Sequence, residues 1–548
     1  MRSRALILSA AAAVGLGTVQ AMTAASPAHA DNPIVQTIYT ADPAPLVVGD
    51  RVYLYTGHDE DGASYFTMKD WHVYSSADMV NWTDHGSPLS LASFSWAKAD
   101  AWAGQVVPRN GKYYWYVPVT SNSGGRAIGV AVGDSPTGPF KDALGRALVS
   151  TNEIDPTAFI DDDGQAYLYW GNPNLNYVKL NPDMISFNGS PQRITLTTAG
   201  FGTRPGDANR PTLFEEGPWV YKRNGIYYNV FAAKCCSEFL AYSTAPGPLG
   251  PWTYRGTVMP TQGSSFTNHP GVIDFKGGSY LFYHNGALPG GGGYQRSVAV
   301  EKFTYGTDGS IPQMSMTTTG APQVGTLDPY TRQEGETIAW SSGVETERSS
   351  DGGMNLSFLD NGDYVKVKGV AFGTGAASFS ARVASATSGG TIEVRLDSVT
   401  GSTVATCSVP GTNGWQTWTS VTCPASGATG THDVFLRFTG GSGSLFNLDS
   451  WQFAQRSTPT PTTTSPTPTT SSPTPTTSSP TPSTTTTTKT TKKPRKTTTK
   501  KSRSCKNTRK CSRTTRKAAV ASLAGCRAGL TPLDTWPGGF RTPSCRRS

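Results

Sequence analysis

Short segments that alternate apolar with polar residues, and that are rich in tyrosine, recur along residues 31–325. A turn residue precedes such a segment five times, and successive units begin 53 to 61 residues apart. The units are RVYLYTG after Asp50, KYYWYVPV after Gly111, QAYLYWG after Gly164, IYYNVFAA after Gly225 and SYLFYHNG after Gly278. Strands and turns repeated at this spacing are typical of propeller blades. The five units therefore predict a five-bladed β-propeller, with a β-sandwich of accidental regularity as the alternative.

Residues 326–456 show a second pattern of short strands between Gly/Ser turns. Their alternating segments are YVKVKGV, SFSARVAS, TIEVRLD, WQTWTSV and DVFLRFTG. This pattern predicts a β-sandwich of the jelly-roll type. Almost no part of the chain has a long apolar period of 3.6 residues, so we expect an all-β protein.

The remaining segments differ in composition from the two predicted domains. Residues 457–488 contain only Ser, Thr and Pro, which predicts a disordered linker. The tail, 489–548, holds 18 of the 47 basic residues, one acidic residue and four of the eight cysteines. The rest of the chain is therefore acidic, although the net charge of the whole is +9. This distribution argues against a nucleic-acid partner for the folded part.

The first 30 residues predict a signal peptide. Arg2 and Arg4 precede an apolar run, and Ala28-His29-Ala30 fits a cleavage site. The run is broken by polar residues, so a membrane anchor is the weaker alternative. We expect a secreted protein with no membrane partner.

The four cysteines outside the tail form two pairs, for which we expect different states. Cys407 and Cys423 lie in strand-like segments and are expected to form a disulfide. The adjacent Cys235 and Cys236 either form a vicinal disulfide or remain two small buried groups, and we favour the second.

Acidic residues occupy matching positions in several repeat units. Asp42 and Asp155 each precede Pro, and Glu216 precedes Gly, directly before or within a strand; His269 has the same place in another unit. The first strands of propeller blades meet at the central tunnel, so these side chains should converge there. Crowded carboxylates raise at least one pKa, which keeps one group protonated beside an ionised partner. Glycoside hydrolysis needs that pair of states. Turn residues without a catalytic role are the alternative.

No GxSxG or HExxH motif occurs, so a serine-elbow hydrolase or a zincin is not supported.

Five motifs together closely resemble glycoside hydrolase family 43. They are ADPAP, EIDPTAFIDDDGQAYLYWG, FEEGPWVYK, NHPGVIDF and QRSVAVEKF. The resemblance implies a five-bladed propeller and an inverting mechanism. It implies that Asp42 is the general base, that Glu216 is the general acid, and that Asp155 adjusts the pKa of the acid.

The same resemblance implies residues that contact substrate or a metal ion. His269 would lie near a central metal ion or water in the tunnel, and Arg296 would contact the substrate. Trp102 would form a wall of the sugar subsite.

Residues 326–455 resemble a family 6 carbohydrate-binding module. The motifs that carry the resemblance are QEGETIAW, GGMNLSFLDNGDYVKVKGV, NGWQTW and FNLDSWQF. They imply a structural calcium site formed by Glu334, Glu336 and Asp449, whose oxygen ligands suit a hard cation.

The module resemblance also implies a sugar-binding cleft. Trp415 and Tyr364 would stack on a sugar, and Asn447 would donate a hydrogen bond to it. Phe358 stands where many members have a tyrosine.

These observations predict a secreted, monomeric exo-glycosidase whose partner is plant cell-wall arabinoxylan or xylan. An α-L-arabinofuranosidase is the first expectation; a β-xylosidase or a non-catalytic polysaccharide-binding protein is the alternative. TWPGGF in the tail resembles part of a family 2 cellulose-binding module, so the tail is either a wall-binding polycation or a frameshifted remnant of such a module.

Overall fold

The computed structural model describes residues 28–456. Within this range almost all regular structure is β, with one short α-helix, α1 (Thr198–Phe201), and one 3-10 turn (Leu91–Ser93). No helix among these residues is long and apolar enough to cross a membrane. Most of the expected signal peptide, the linker and the tail with its four cysteines lie outside the described residues.

The first part of the chain forms five antiparallel sheets in sequence order. Sheet one contains β1 (Thr40–Val48), β2 (Arg51–His58), β3 (Asp70–Ser76), β4 (Trp82–Asp84) and β5 (Leu89–Ser90). Sheet two contains β6 (Ala97–Ala99), β7 (Gln105–Arg109), β8 (Lys112–Ser121), β9 (Arg126–Gly133), β10 (Lys141–Asp142) and β11 (Val149–Ser150). Sheet three contains β12 (Thr157–Ile160), β13 (Ala166–Trp170), β14 (Asn176–Leu180) and β15 (Gln192–Arg193). Sheet four contains β16 (Phe214–Arg223), β17 (Ile226–Ala233), β18 (Phe239–Ala245) and β19 (Thr253–Met259). Sheet five contains β20 (Gly271–Phe275), β21 (Gly278–Asn285) and β22 (Ser297–Phe303).

Tight hairpins set the register of the Tyr-rich strands. Asn110 and Gly111 have φ angles of 52° and 74°, and Asn224 and Gly225 have angles of 49° and 79°. Two successive positive φ angles match the twist of the flanking strands, which explains the Asn-Gly pairs. The repeat unit becomes the second strand of its sheet in chain order in four sheets, and the third strand, β8, in sheet two.

Strands β1, β7, β12, β16 and β20, one from each of the five sheets, line one cavity of about 490 Å³. Its lining includes residues such as Val47, Val107, Ala158, Trp219 and Val272, one from each sheet. Neighbouring sheets pack face to face through apolar clusters. The five sheets are thus arranged around a shared axis.

Residues from 333 onward form two further sheets that enclose a separate apolar core. The strands of this part of the chain are β23 (Gln333–Glu334), β24 (Thr337–Ile338), β25 (Trp340–Ser342), β26 (Glu345–Arg348), β27 (Met354–Ser357), β28 (Tyr364–Gly373), β29 (Ala376–Ala384), β30 (Gly389–Leu396), β31 (Thr403–Pro410), β32 (Thr419–Pro424), β33 (Gly430–Thr439) and β34 (Asn447–Gln455). All of them except β24, which belongs to sheet one, lie in these two sheets. One sheet has the order β26-β27-β34-β29-β32 with β23 beside β34, and the other has β25-β28-β33-β30-β31.

Both expected cysteine pairs are bonded. Cys407 and Cys423 form the predicted disulfide. Cys235 and Cys236 also form a disulfide, and neither residue is buried, so the favoured expectation of two small buried groups is wrong. Their position on the loop after β17 leaves them at the surface instead of in a core.

The sandwich is joined to the first sheet by backbone pairing. Strand β24 pairs with β4. Asn81 and Lys368 exchange two hydrogen bonds, at 2.9 and 2.8 Å. Asp31 contacts the ammonium groups of Lys366 and Lys368 at 3.1 and 2.7 Å. Residues 28–456 consequently fall within one compact unit.

Candidate active site

Asp42 and Glu216 lie at irregularities within β1 and β16, and Asp155 lies two residues before β12. Asp42 and Asp155 have φ angles of 55° and 60°, and Gly217, directly after Glu216, has 59°. Such conformations are costly for residues with side chains and cluster at functional sites. A Cβ on Gly217 would lie 3.0 Å from Nδ1 of His269, so this position requires glycine. The register of β1 and of β16 shifts at these residues, which redirects their side chains.

Asp155 lies at the centre of the group. The Gly217 amide donates to its Oδ2 at 3.0 Å, and Nδ1 of His269 lies 3.9 Å from the same oxygen. Burial, followed by the charges of Glu216 and Asp42, raises the pKa of Asp155 well above its usual value. The predicted carboxylates therefore converge closely enough to affect one another.

Glu216 also has a raised pKa. Burial and the neighbouring Glu215 raise the pKa of Glu216 to about 7, although the side chain of Asn172 donates a hydrogen bond to it. Glu215 itself is held by Arg204 at 2.5 Å and by Arg210 at 2.7 Å. Glu216 is thus the member of the Glu-Glu pair without an arginine partner at its side.

Asp42 is stabilised in the opposite, ionised state. Burial alone would raise its pKa, but Arg296, 3.0 Å away, and His284 outweigh it and hold the pKa of Asp42 well below its usual range. Arg296 is fixed in turn by Asp59, which accepts from its Nε and Nη2 at 2.9 and 2.8 Å.

Arg296 lies beside Asp42, the expected base, and its expected contact with the substrate stays a prediction. The residue is only 4% exposed, and its guanidinium is directed at Asp42 and Asp59 instead of an open surface. A buried guanidinium satisfied by two carboxylates of its own chain serves to hold Asp42.

The other two expected contact residues are His269 and Trp102. Burial lowers the pKa of His269 to about 4, which keeps its ring neutral. Trp102 is 8% exposed and donates from Nε1 to the Phe66 carbonyl at 2.9 Å, while the guanidinium of Arg126 lies 4.6 Å from its ring centroid. Trp102 is mostly part of the core, where it packs against Phe66, and its expected place in the wall of the sugar subsite stays a prediction.

Four further residues at this site were not anticipated from the sequence. Asp59, Asn172 and His284 contact the arginine or the carboxylates directly. Glu238 is buried, its Oε1 has no hydrogen-bond partner, and burial and Glu216 raise its pKa well above the usual value. Asp59, Asn172 and Glu238 lie next to strand ends outside the repeated motif, whereas His284 lies within the unit SYLFYHNG. For Asp59 and Glu238 the available signal was an acidic residue next to an apolar strand.

The sandwich brings together two of its three expected cleft residues. The Asn447 side chain donates to the Trp415 carbonyl at 2.8 Å, and Trp415 is 37% exposed. Tyr364 is placed elsewhere: strand alternation puts Val365 and Val367 in the core and Tyr364 on the outer face of the other sheet, against Phe435.

Phe358 takes the place expected for Tyr364. Leu356 pairs with Leu448, and the Leu445 amide donates to the Leu359 carbonyl, so Phe358 lies beside the start of β34 and Asn447. Its side chain is 57% exposed. The exposed aromatic pair near Asn447 is therefore Phe358 and Trp415.

The expected calcium ligands Glu334, Glu336 and Asp449 affect one another electrostatically, but they are not among the described groups whose ligand atoms all lie within 4.8 Å of one another. Oε2 of Glu336 is buried without a hydrogen-bond partner, and burial, with Glu334 and Asp449 contributing, raises the pKa of Glu336 well above its usual value. Arg332 contacts Glu334 at 2.7 Å and Asp449 at 2.9 Å. The unpartnered oxygen fits a cation ligand.

Comparisons with known proteins agree with this geometry. The profile of glycosyl hydrolases family 43 matches residues 30–311, and that of the family 6 carbohydrate-binding module matches residues 334–455. An arabinoxylan arabinofuranohydrolase from Bacillus subtilis is 37% identical over 78% of this chain and 92% of its own length. One from Paenibacillus polymyxa is 36% identical over 77% of this chain and 74% of its own length.

A solved structure agrees as well. The family 43 arabinoxylan arabinofuranohydrolase from Bacillus subtilis, crystallised with cellotetraose, superposes with a TM-score of 0.68 at 35% identity, over 79% of this chain and 99% of that one. Glycosyl hydrolases of family 43 hydrolyse O-glycosyl bonds, the reaction that three converging carboxylates can support. The chain belongs to glycoside hydrolase family 43, with a family 6 carbohydrate-binding module after the hydrolase segment.

Proposed function

We propose that this protein is an inverting α-L-arabinofuranosidase that removes side chains from arabinoxylan. The observation that carries the proposal is the opposite pKa shift of Asp42 and Glu216. A glycosidase needs an ionised carboxylate to activate water and a protonated one for the leaving oxygen. The two arabinofuranohydrolases similar to this chain supply the substrate class.

Each residue has a role in this mechanism. Asp42 accepts a proton from the attacking water, and Arg296, fixed by Asp59, keeps it ionised. Glu216 gives its proton to the glycosidic oxygen. Asp155 accepts a hydrogen bond from the Gly217 amide, which holds the backbone beside the acid, and its expected role in adjusting the pKa of Glu216 stays a prediction.

Product analysis tests this proposal. Wheat arabinoxylan and, separately, xylobiose are incubated with the full chain, and the released sugar and its initial anomeric form are identified by NMR. Arabinose of inverted configuration from arabinoxylan supports the proposal. Xylose from xylobiose would make the protein a β-xylosidase instead. If neither substrate releases a sugar, a binding protein without catalysis is favoured.

The pH dependence of turnover follows from Glu216. The active form carries a proton on Glu216, whose pKa is about 7, so kcat should fall as the pH rises through that value. The pKa of Asp42 lies far below, so the base stays ionised in mild acid and no acid limb is expected from it there. Measured kcat on an arabinofuranosyl oligosaccharide checks this; a rate that is level from about pH 6 to 9 contradicts the assignment.

Trp415 is expected to bind polymer without taking part in hydrolysis. Replacing Trp415 by alanine removes an exposed aromatic face and should weaken retention on insoluble xylan about tenfold. Turnover of a soluble aryl arabinofuranoside should not change. Tyr364→Ala on the outer face of the other sheet is the matched control in pull-down assays, and equal losses in both variants would argue against a cleft at Trp415.

The remaining assignments extend this proposal. The five sheets are the blades of a five-bladed propeller. The cavity that one strand from each sheet lines supports this assignment. Glu334, Glu336 and Asp449 would hold a structural calcium ion, which would neutralise the acidic group, and an ion near His269 stays a prediction. Residues 1–30 support secretion, and the protein would act as a monomer.

A further inference from the structure

Three side chains of the first sheet form a cluster that the hydrolytic site does not use. Asp70 and His72 are two residues apart on β3 and share one face of the strand. Thr56 pairs with His72, which brings His58 at the end of β2 beside Asp70. Nδ1 of His58 lies 3.0 Å from one oxygen of Asp70, and Nε2 of His72 lies 3.4 Å from the other.

The spacing suits a metal ion. One ligand atom from each residue lies within 4.8 Å of the other two. Zinc bonds to histidine nitrogen and carboxylate oxygen measure about 2.0–2.2 Å, so tetrahedral ligands lie roughly 3.4 Å apart. Among residues 28–456 this is the one group of three His, Cys, Asp or Glu side chains with such spacing.

We propose that His58, Asp70 and His72 form a binding site for a divalent transition-metal ion of the zinc type. Two imidazole nitrogens and one carboxylate favour such an ion over calcium, which prefers oxygen ligands alone. The side chains of His58, Asp70 and His72 are 22%, 25% and 14% exposed. An ion can therefore enter from solvent, and water can complete its coordination.

The site would act on the fold of the first sheet. His58 is the last residue of β2, and the next residue, Asp59, holds Arg296 and through it Asp42. An ion that links β2 to β3 would fix the strand end from which Asp59 projects. The ion would touch no reacting group, so its effect is on stability and on the position of Asp59.

The alternative is a hydrogen-bonded His-Asp-His cluster that binds no ion. In that case Asp70 accepts one N–H from each ring, and the same distances result. Metal binding measured directly separates the two.

The test uses the full chain, stripped of metal and held in excess calcium to fill sites made of oxygen ligands. Binding of Co²⁺ is followed by its visible absorption, and binding of Zn²⁺ by calorimetry. The wild type should bind one equivalent more than a His58→Gln/His72→Gln double variant. Any cobalt taken up by the four tail cysteines is common to both proteins and cancels in the comparison.

His432→Gln is the matched control. His432 also pairs with a carboxylate, Asp397, at 2.9 Å, but with two candidate ligands only. This variant should bind as much metal as the wild type. Asp70→Asn keeps the shape of the site and serves if the double variant does not fold; its affinity should fall roughly 100-fold. Equal binding by the wild type and by the variants of the cluster, or no binding by any of them, overturns the proposal.

Discussion

Replacing Glu216 by glutamine is expected to lower kcat on arabinoxylan by about 10²- to 10⁴-fold. Glutamine has nearly the same shape and keeps a partner for Asn172, but it has no acidic proton to give to the glycosidic oxygen. The loss should therefore appear in kcat more than in KM. Initial rates of arabinose release measure it.

The leaving group offers a control within the same variant. Dinitrophenolate leaves a dinitrophenyl arabinofuranoside without protonation, so Glu216→Gln should retain much more of its activity on this substrate. Glu345→Gln, an exposed position in the sandwich, should retain full activity on both substrates. Near-normal turnover of arabinoxylan by Glu216→Gln would show that another residue supplies the proton.

Replacing Asp42 by asparagine is expected to remove turnover of every substrate to a similar degree, about 10²- to 10⁴-fold. An amide cannot accept a proton from water, and the positive charge of Arg296 would lose one of its two carboxylate partners. Activated and natural substrates should suffer equally, because attack by water is needed in both. Steady-state kinetics on both substrates measure this.

The contrast between the two variants separates base from acid. Asp50→Asn, on the exposed turn between β1 and β2, is the matched control and should behave as wild type. Circular dichroism and thermal melting establish that Asp42→Asn is folded. Rescue of this variant on dinitrophenyl substrates alone would contradict its role as the base.

The sequence was sufficient to predict the parts that repeat. Tyr-rich strands after tight turns recur every 53 to 61 residues, so the number of sheets could be predicted from the sequence. Asp42, Asp155 and Glu216 share a position relative to these strands, and the fold brings them together. The repeat is visible in the sequence because every sheet needs the same alternation of apolar and polar residues to pack against its neighbours.

Residues that depend on contacts between distant segments could not be predicted in this way. Asp59 and Arg296 are separated by 237 positions, and nothing near Asp59 indicates its partner. The pairing of the Arg296 guanidinium with two buried carboxylates likewise leaves no signal in the sequence. Tyr364 was misplaced because the motif does not show that it begins β28 of the opposite sheet, whereas Phe358 follows β27 of the sheet that contains Asn447.

Pairing of β24 with β4 determines how the sandwich and the hydrolase part search a polymer together. A module on a long spacer brings its enzyme to any bond within reach, at an effective concentration set by the length of the spacer. Here no spacer separates the two, so Trp415 and Asp42 keep one offset. A polysaccharide held at Trp415 would present only branches at that distance along its backbone, and the pattern of debranching on a long chain would then be periodic instead of random.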